Sequence, residues 1–352
     1  TFLLLLLILP AGIFLLAPTW VRYRVTERYE FAGNSTAEVY LVMMLPRSGP
    51  YQRVENVVVE WPGTEAREGH ESVDVLTLAG TVEGSKVVEA LVTYNVALPN
   101  DRVNWDAPVE EKDLDPEDEI ESAAPLLVNQ AAEIRGEEDV ETAYRVYAFT
   151  AQHLSWPEGS RMGGEQSALG AYQAGVGVCG EFANLMTALC RAADIPARSI
   201  SGLSFPTFMP PYITKQRTRM HPAGSHAWVE VEAGDNWALA DPSLASNLPF
   251  DGFWFGRNLG QYLSYGARAE HDRIYQGMIR WAEERGEIVG AMSAPVKFVA
   301  AAEGEGVSME FVVSVQKRGD PRWWGALGAH VAILASFVLV ERKWLSLRNR
   351  DA

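Results

Sequence analysis

The chemistry this sequence can do centres on a thiol. Cys179 follows Gly175-Val176-Gly177-Val178. From Gly180 onward the apolar residues Phe182, Leu185, Met186, Leu189 and Ala193 recur at helical spacing, until Ile195-Pro196 stops the pattern. The two glycines permit a tight loop, so Cys179 is predicted in the first turn of a buried helix. There the helix dipole and unsatisfied N–H groups stabilise an anion, and the thiolate is the reactive form of cysteine. Cys190 falls within the same helix, roughly 16 Å away. That distance excludes a disulfide, and its place beside Leu189 marks it as a small core residue.

A nucleophilic cysteine needs a base, and the base needs an orienting group. The run Ser225-His226-Ala227-Trp228-Val229-Glu230-Val231 places a histidine at the start of a strand. The run Trp237-Ala238-Leu239-Ala240-Asp241-Pro242-Ser243 ends a short strand on an acid. Antiparallel pairing through the turn Glu232–Asn236 is expected to bring His226 opposite Asp241. The acid then fixes the imidazole through one ring nitrogen and the other faces Cys179. No further cysteine or histidine stands at zinc-ligand spacing from these three, so a metal site is the weaker reading.

The elements that must hold these residues are helices followed by antiparallel strands, an α+β order. One helix is predicted from Ser122 to just before Gly136. A second runs from Asp139 to about Trp156-Pro157, with Val140, Ala143, Tyr144, Tyr147 and Thr150 on one face. Strands are predicted at Ala197–Phe205, Ala227–Val231 and Trp237–Ala240, and a helix at Arg273–Glu284. The catalytic domain is assigned to 122–290.

The stretch from Gly175 to Arg198, with His226-Ala227-Trp228 and Asp241-Pro242-Ser243, resembles the transglutaminase-like superfamily over about residues 139–245. The resemblance implies a papain-like core and a triad in this chain order, with Cys179 as nucleophile, His226 as base and Asp241 as orienting acid. It implies acyl transfer at a protein or peptide amide through a thioester, with no cofactor. Water as acceptor makes a peptidase or amidase; an amine makes a cross-linking transglutaminase. Hydrolysis is favoured, because an amine site must exclude water and nothing in the sequence marks one. The family also contains inactive members, so a catalytically inactive binding or scaffold module at the membrane is the competing reading. Cys179 N–H is the first expected oxyanion donor. Relatives often take the second from a Trp or Gln side chain, which nominates Trp156 and Gln166, although neither spacing fits closely. The loop Pro206–Gly224, with Lys215, Arg217 and Arg219, is expected to border the cleft and favour an anionic or carboxylate-bearing substrate.

Residues 21–105 read as a β-sandwich. Val21, Tyr23, Val25, Tyr29 and Phe31 alternate, and similar runs recur between turn clusters. This part resembles the β-domain that often precedes the core in microbial members. Residues 106–121 are dense in acid and read as a solvated linker. Pro295–Ala300 and Val307–Val315 read as a hairpin within 291–316, its domain membership open. Two apolar runs, 2–20 and 323–340, are each long enough to span a bilayer. Arg342, Lys343, Arg348 and Arg350 after the second favour a cytoplasmic C-terminus. The expectation is a two-pass membrane protein with its catalytic domain outside the cytoplasm. A net charge of −16 over 352 residues argues against nucleic acid as a partner. The expected partners are a protein or peptide substrate and membrane lipid.

Overall fold

The computed structural model describes residues 20–157, 167–205, 218–219, 225–245, 255–259, 262–292 and 297–318. The expected spans, 2–20 and 323–340, lie outside these residues except for Trp20, which opens a strand. Among the described residues no helix is long and apolar enough to cross a membrane. The architecture is mixed α and β, with extensive sheets.

Six strands come first: β1 (Trp20–Ala32), β2 (Ala37–Pro46), β3 (Arg53–Glu60), β4 (Thr64–Gly69), β5 (Val73–Val82) and β6 (Val87–Arg102). The period-two pattern of β1 buries Val21, Tyr23, Val25, Tyr29 and Phe31. β1 and β3 both pair with β6, while β2 and β4 flank β5 in a second sheet. The chain thus changes sheet at Gly33-Asn34-Ser35, and the two inner faces close on one apolar core. A short β7 (Asn104–Trp105) then leaves the sandwich.

The part expected from the sequence to be catalytic contains α1 (Pro125–Ile134), α2 (Asp139–His153), α3 (Ala168–Ala174), α4 (Cys179–Ala192), β8 (Ala197–Ser204), β9 (Thr218–Arg219), β10 (Ser225–Glu232), β11 (Trp237–Ala240) and a single turn, α5 (Pro242–Ala245). It continues with β12 (Arg257–Leu259), β13 (Tyr262–Ala267) and α6 (Arg268–Glu283). Its antiparallel sheet has the order β13-β8-β10-β11-β7. The helix α4 is buried from Glu181 to Arg191 against α1, α2, α3, β8 and β10. Three strands end the described chain: β14 (Glu287–Met292), β15 (Phe298–Glu303) and β16 (Ser308–Arg318).

Several boundaries differ from the sequence expectation. The predicted C-terminal hairpin is not a pair. β15 bonds to β2 and β16 to β1, so the chain crosses between sheets at Gly304 and Gly306, both at positive φ. Glu287–Met292, partly assigned to the catalytic domain, pairs with β15 in the sandwich. Conversely, β7 joins the catalytic sheet through Trp237↔Trp105. α1 starts with Pro125 after an Ala124 cap rather than on Ser122. α2 ends at His153, and its inward face runs through Ala143, Val146, Tyr147 and Thr150 while Val140 and Tyr144 are exposed. α6 begins at Arg268 rather than Arg273, its first turn held by polar contacts of Arg268 with Glu119 and of Glu270 with Ser72.

The acidic stretch 106–121 is exposed along most of its length, as a solvated linker would be, but it is tied down at three points. Asp113 is buried and takes both guanidinium arms of Arg198, at 2.6 and 2.7 Å. Glu117 pairs with the buried Arg191 at 2.8 Å, and Glu119 with Arg268 at 2.9 Å. Three arginines of the catalytic domain therefore strap this segment down, since buried charges must be paired.

One inward position of β1 is a carboxylate. Glu27 is fully buried and accepts Tyr29 Oη at 2.7 Å and Tyr94 Oη at 2.8 Å. Burial outweighs these hydrogen bonds and pushes its pKa from 4.5 up to about 7. A raised carboxyl pKa favours folding below its unfolded value, and that contribution is lost as pH rises through 7. Glu27→Gln should flatten this dependence and gain on the order of 2–3 kcal/mol above pH 8. Urea unfolding at pH 5 and pH 8.5 checks it; equal effects at both would show that Glu27 does not titrate there.

Candidate active site

Cys179 is the first residue of α4, preceded by a loop that only glycines permit. Gly175 has φ 67°, and a Cβ on Gly177 would lie 2.6 Å from Glu181 Cβ. The close approach lets Glu181 accept Val178 N–H at 3.0 Å, capping the helix. Cys179 is part-buried, whereas Cys190 is enclosed and burial pushes its thiol up to about 12. Cys190 is thereby an inert thiol of the core.

His226 stands near the start of β10, four residues before Glu230. The register pairs Val229 with Ala240, so continuing it sets Asp241 level with Trp228 rather than opposite His226. His226 and Trp228 share one face of the strand, and the acid reaches the histidine diagonally. His226 Nε2 donates to Asp241 Oδ2 at 2.7 Å. Cys179 also interacts with the imidazole, and that interaction favours its charged form. The three residues singled out by spacing thus meet in space.

Asp241 is 1% exposed, so it must be held by hydrogen bonds. Its Oδ1 accepts Ser243 N at 3.1 Å, Ser243 Oγ at 2.6 Å and Leu244 N at 3.2 Å, all from the turn that Pro242 starts. Its Oδ2 accepts His226 and also Tyr262 Oη at 2.5 Å. Burial opposes its charge, but the His226 charge and the bonds from His226, Ser243 and Tyr262 together hold it below the ordinary carboxylate range. Burial likewise opposes charge on His226. Asp241 and the interaction with Cys179 outweigh it and push the imidazole up to about 10. The arrangement therefore favours a charged imidazolium beside an ionised Asp241.

Sequence reasoning missed Tyr262. It sits on β13, far along the chain, and only its pairing with Ser204 on β8 brings it to the site. The apolar run around it was the one available signal. Trp156, nominated as an oxyanion donor, is 40% exposed and stacks on Phe182. Its Nε1 donates to Ser243 O at 3.4 Å, so that N–H is already directed at the turn behind Asp241. Gln166, Lys215 and Arg217 lie outside the described residues. Thr218 and Arg219 form β9, which pairs with β16 on the sandwich rather than with the catalytic sheet. Among the described residues, no three His, Cys, Asp or Glu side chains group to hold a metal ion.

Residues 128–242 match the family model of the transglutaminase-like superfamily, so the chain carries a transglutaminase-like domain there. No curated protein matches the sequence. Among solved structures, a Cytophaga hutchinsonii protein described as a candidate cysteine protease is similar over 86% of this chain and 99% of its own, at 14% identity and a TM-score of 0.50. That likeness is one of fold, and its reach takes in both the sandwich and the catalytic part. The periplasmic domain of TgpA from Pseudomonas aeruginosa, bound to ethylmercury, aligns over 66% of this chain and 93% of its own, at 15% identity and a TM-score of 0.33.

Gly202 is a positional requirement of this site. It lies on β8 between His226 on β10 and Ser264 on β13. A Cβ there would sit 2.1 Å from Leu263 O and 2.5 Å from the Trp228 ring. Gly202→Ala should cost about 3 kcal/mol or more by overpacking and displace Trp228 from behind His226. Thermal unfolding and the near-ultraviolet tryptophan signal check this; wild-type values for both would show that the strands yield.

Proposed function

We propose that this protein is a membrane-anchored cysteine acyl-transfer enzyme acting on protein or peptide amides, with hydrolysis favoured over cross-linking. The observation that carries the reading is His226, bonded to buried Asp241 and interacting with Cys179 at a helix N-terminus. Cys179 Sγ attacks the amide carbonyl carbon, and charge gathers on its oxygen. The N–H of Cys179, without an intrahelical acceptor by position, can donate to that oxygen. His226 protonates the departing amine, leaving a thioester on Cys179. Water, deprotonated by neutral His226, then attacks the thioester; the acid leaves, and the proton returns to the thiol pair.

Anchoring is inferred from the apolar runs 2–20 and 323–340. The start of β1 and the end of β16 are neighbours, with Arg22 opposite Arg318. Both runs thus continue from the same end of one sheet, as expected of a domain tethered twice on one side of a bilayer. The basic tail after 340 favours a cytoplasmic terminus and an extracytoplasmic catalytic domain. An impermeant label reaching the C-terminal tail of intact cells would reverse this orientation.

The triad makes a ranked prediction. With a peptide-amide library as substrate, Cys179→Ala should abolish turnover and His226→Ala should be nearly as severe. Asp241→Ala should be milder, because the acid acts only through the imidazole. Cys190→Ala should keep activity and lose about 1 kcal/mol or more of stability. Mass spectrometry should find the acyl adduct on Cys179; a folded, active Cys179→Ala protein would sink the enzyme reading.

A further inference from the structure

We infer that Tyr262 is a positioning residue that limits the basicity and fixes the orientation of His226, an inference that rests on the triad reading above. Its hydroxyl donates to Asp241 Oδ2 at 2.5 Å, the same oxygen that accepts His226 Nε2 at 2.7 Å. The two donors therefore share one acceptor. An oxygen drained by a phenol offers less charge to the imidazolium beside it.

The ring does a second job. It lies parallel to the His226 ring, with 7° between planes and centroids 5.8 Å apart. Trp228 stacks on Tyr262 at 4.8 Å and faces His226 at 6.4 Å. The imidazole is thus confined by two aromatic rings as well as tethered at one nitrogen. The titratable groups acting on His226 are Asp241 from the end of β11 and Cys179 from α4; those on Asp241 are His226 and Tyr262 from β13.

The consequence concerns the two halves of the reaction. Acylation uses the imidazolium as proton donor, while deacylation needs the neutral imidazole as base. A histidine held too basic completes the first step and stalls in the second. Tyr262 moderates that hold.

The test uses the full chain in detergent and two readouts that need no known substrate. Iodoacetamide alkylation of Cys179 at pH 6 reports the ion pair; it should be far faster than that of an ordinary thiol of pKa about 8.5. Nuclear magnetic resonance of the His226 imidazole reports its titration midpoint, with His226→Gln as the assignment control. Tyr262→Phe keeps the ring and removes the donor. The His226 midpoint should rise by about half a pH unit or more, while alkylation at pH 6 stays fast. Tyr262→Met, which fills the space without the hydroxyl, should show the same rise and serves if the Phe variant does not fold. A merely structural role would lower thermal stability and leave the midpoint in place. Fast wild-type alkylation with an unmoved midpoint overturns this inference alone. Wild-type Cys179 alkylating like an ordinary thiol overturns the triad reading and this one with it.

Discussion

A carboxylate that must stay ionised while cut off from water sets the demands that this site meets. Asp241 accepts five hydrogen bonds, from two backbone N–H groups and three side chains. They depend on three different pieces of the fold. Pro242 turns the chain so that Ser243 and Leu244 point their N–H groups back. The β10–β11 pairing brings His226 near, and the β8–β13 pairing delivers Tyr262. Charge-assisted hydrogen bonds of this kind are the strong ones, and losing a donor beside a buried carboxylate costs more than losing an exposed ion pair. The site is therefore as rigid as the sheet that carries it.

That sheet does not stand alone. Tyr51 reaches from the sandwich to bond Glu230 on β10 at 2.5 Å, and it packs in a small core with Trp228 and Tyr262. Gln52 Nε2 donates to Ser264 O at 2.9 Å, and Ser264 N donates back to Gln52 Oε1 at 2.6 Å. Tyr265 joins the buried Glu27 cluster through Tyr94 at 3.2 Å. β13 is thus gripped on one side by the catalytic sheet and on the other by sandwich residues. Since Tyr262 begins that strand, the sandwich helps to set the position of a group in the triad's surroundings. The fold binds its two parts through polar contacts that would be costly to leave unmade.

The core of the site was legible in the sequence because its signals are local. Glycines before a cysteine, an apolar helical stripe, and a histidine and an acid on adjacent short strands each occupy a few residues. Tyr262 was not legible because its meaning comes from a strand pairing between residues nearly sixty apart, Tyr262 with Ser204. The acidic stretch misled for a related reason. Asp113, Glu117 and Glu119 read as solvated charge until Arg198, Arg191 and Arg268 are known to face them. The C-terminal strands misled through turn chemistry. Glu303-Gly304-Glu305-Gly306 fits a hairpin, yet the open places beside β1 and β2 lie in opposite sheets, and the register of each fixes where β15 and β16 go.

The first turn of α4 shows how charge is divided around Cys179. A helix N-terminus favours negative charge, and two acidic side chains stand at this one, Glu181 and Cys179. They do not compete for the same group. Glu181 turns back to take the N–H of Val178, the residue before the helix, and Gly177 leaves the space that this requires. The N–H groups of Cys179 and Gly180 keep no intrahelical acceptor by position. Gly180 adds no bulk, and a Cβ there would lie 3.1 Å from the Arg268 guanidinium, itself bonded to Glu119. The acid therefore stabilises the loop without occupying the donors that an oxyanion would use, and the helix end keeps its positive character where a carbonyl oxygen would become charged.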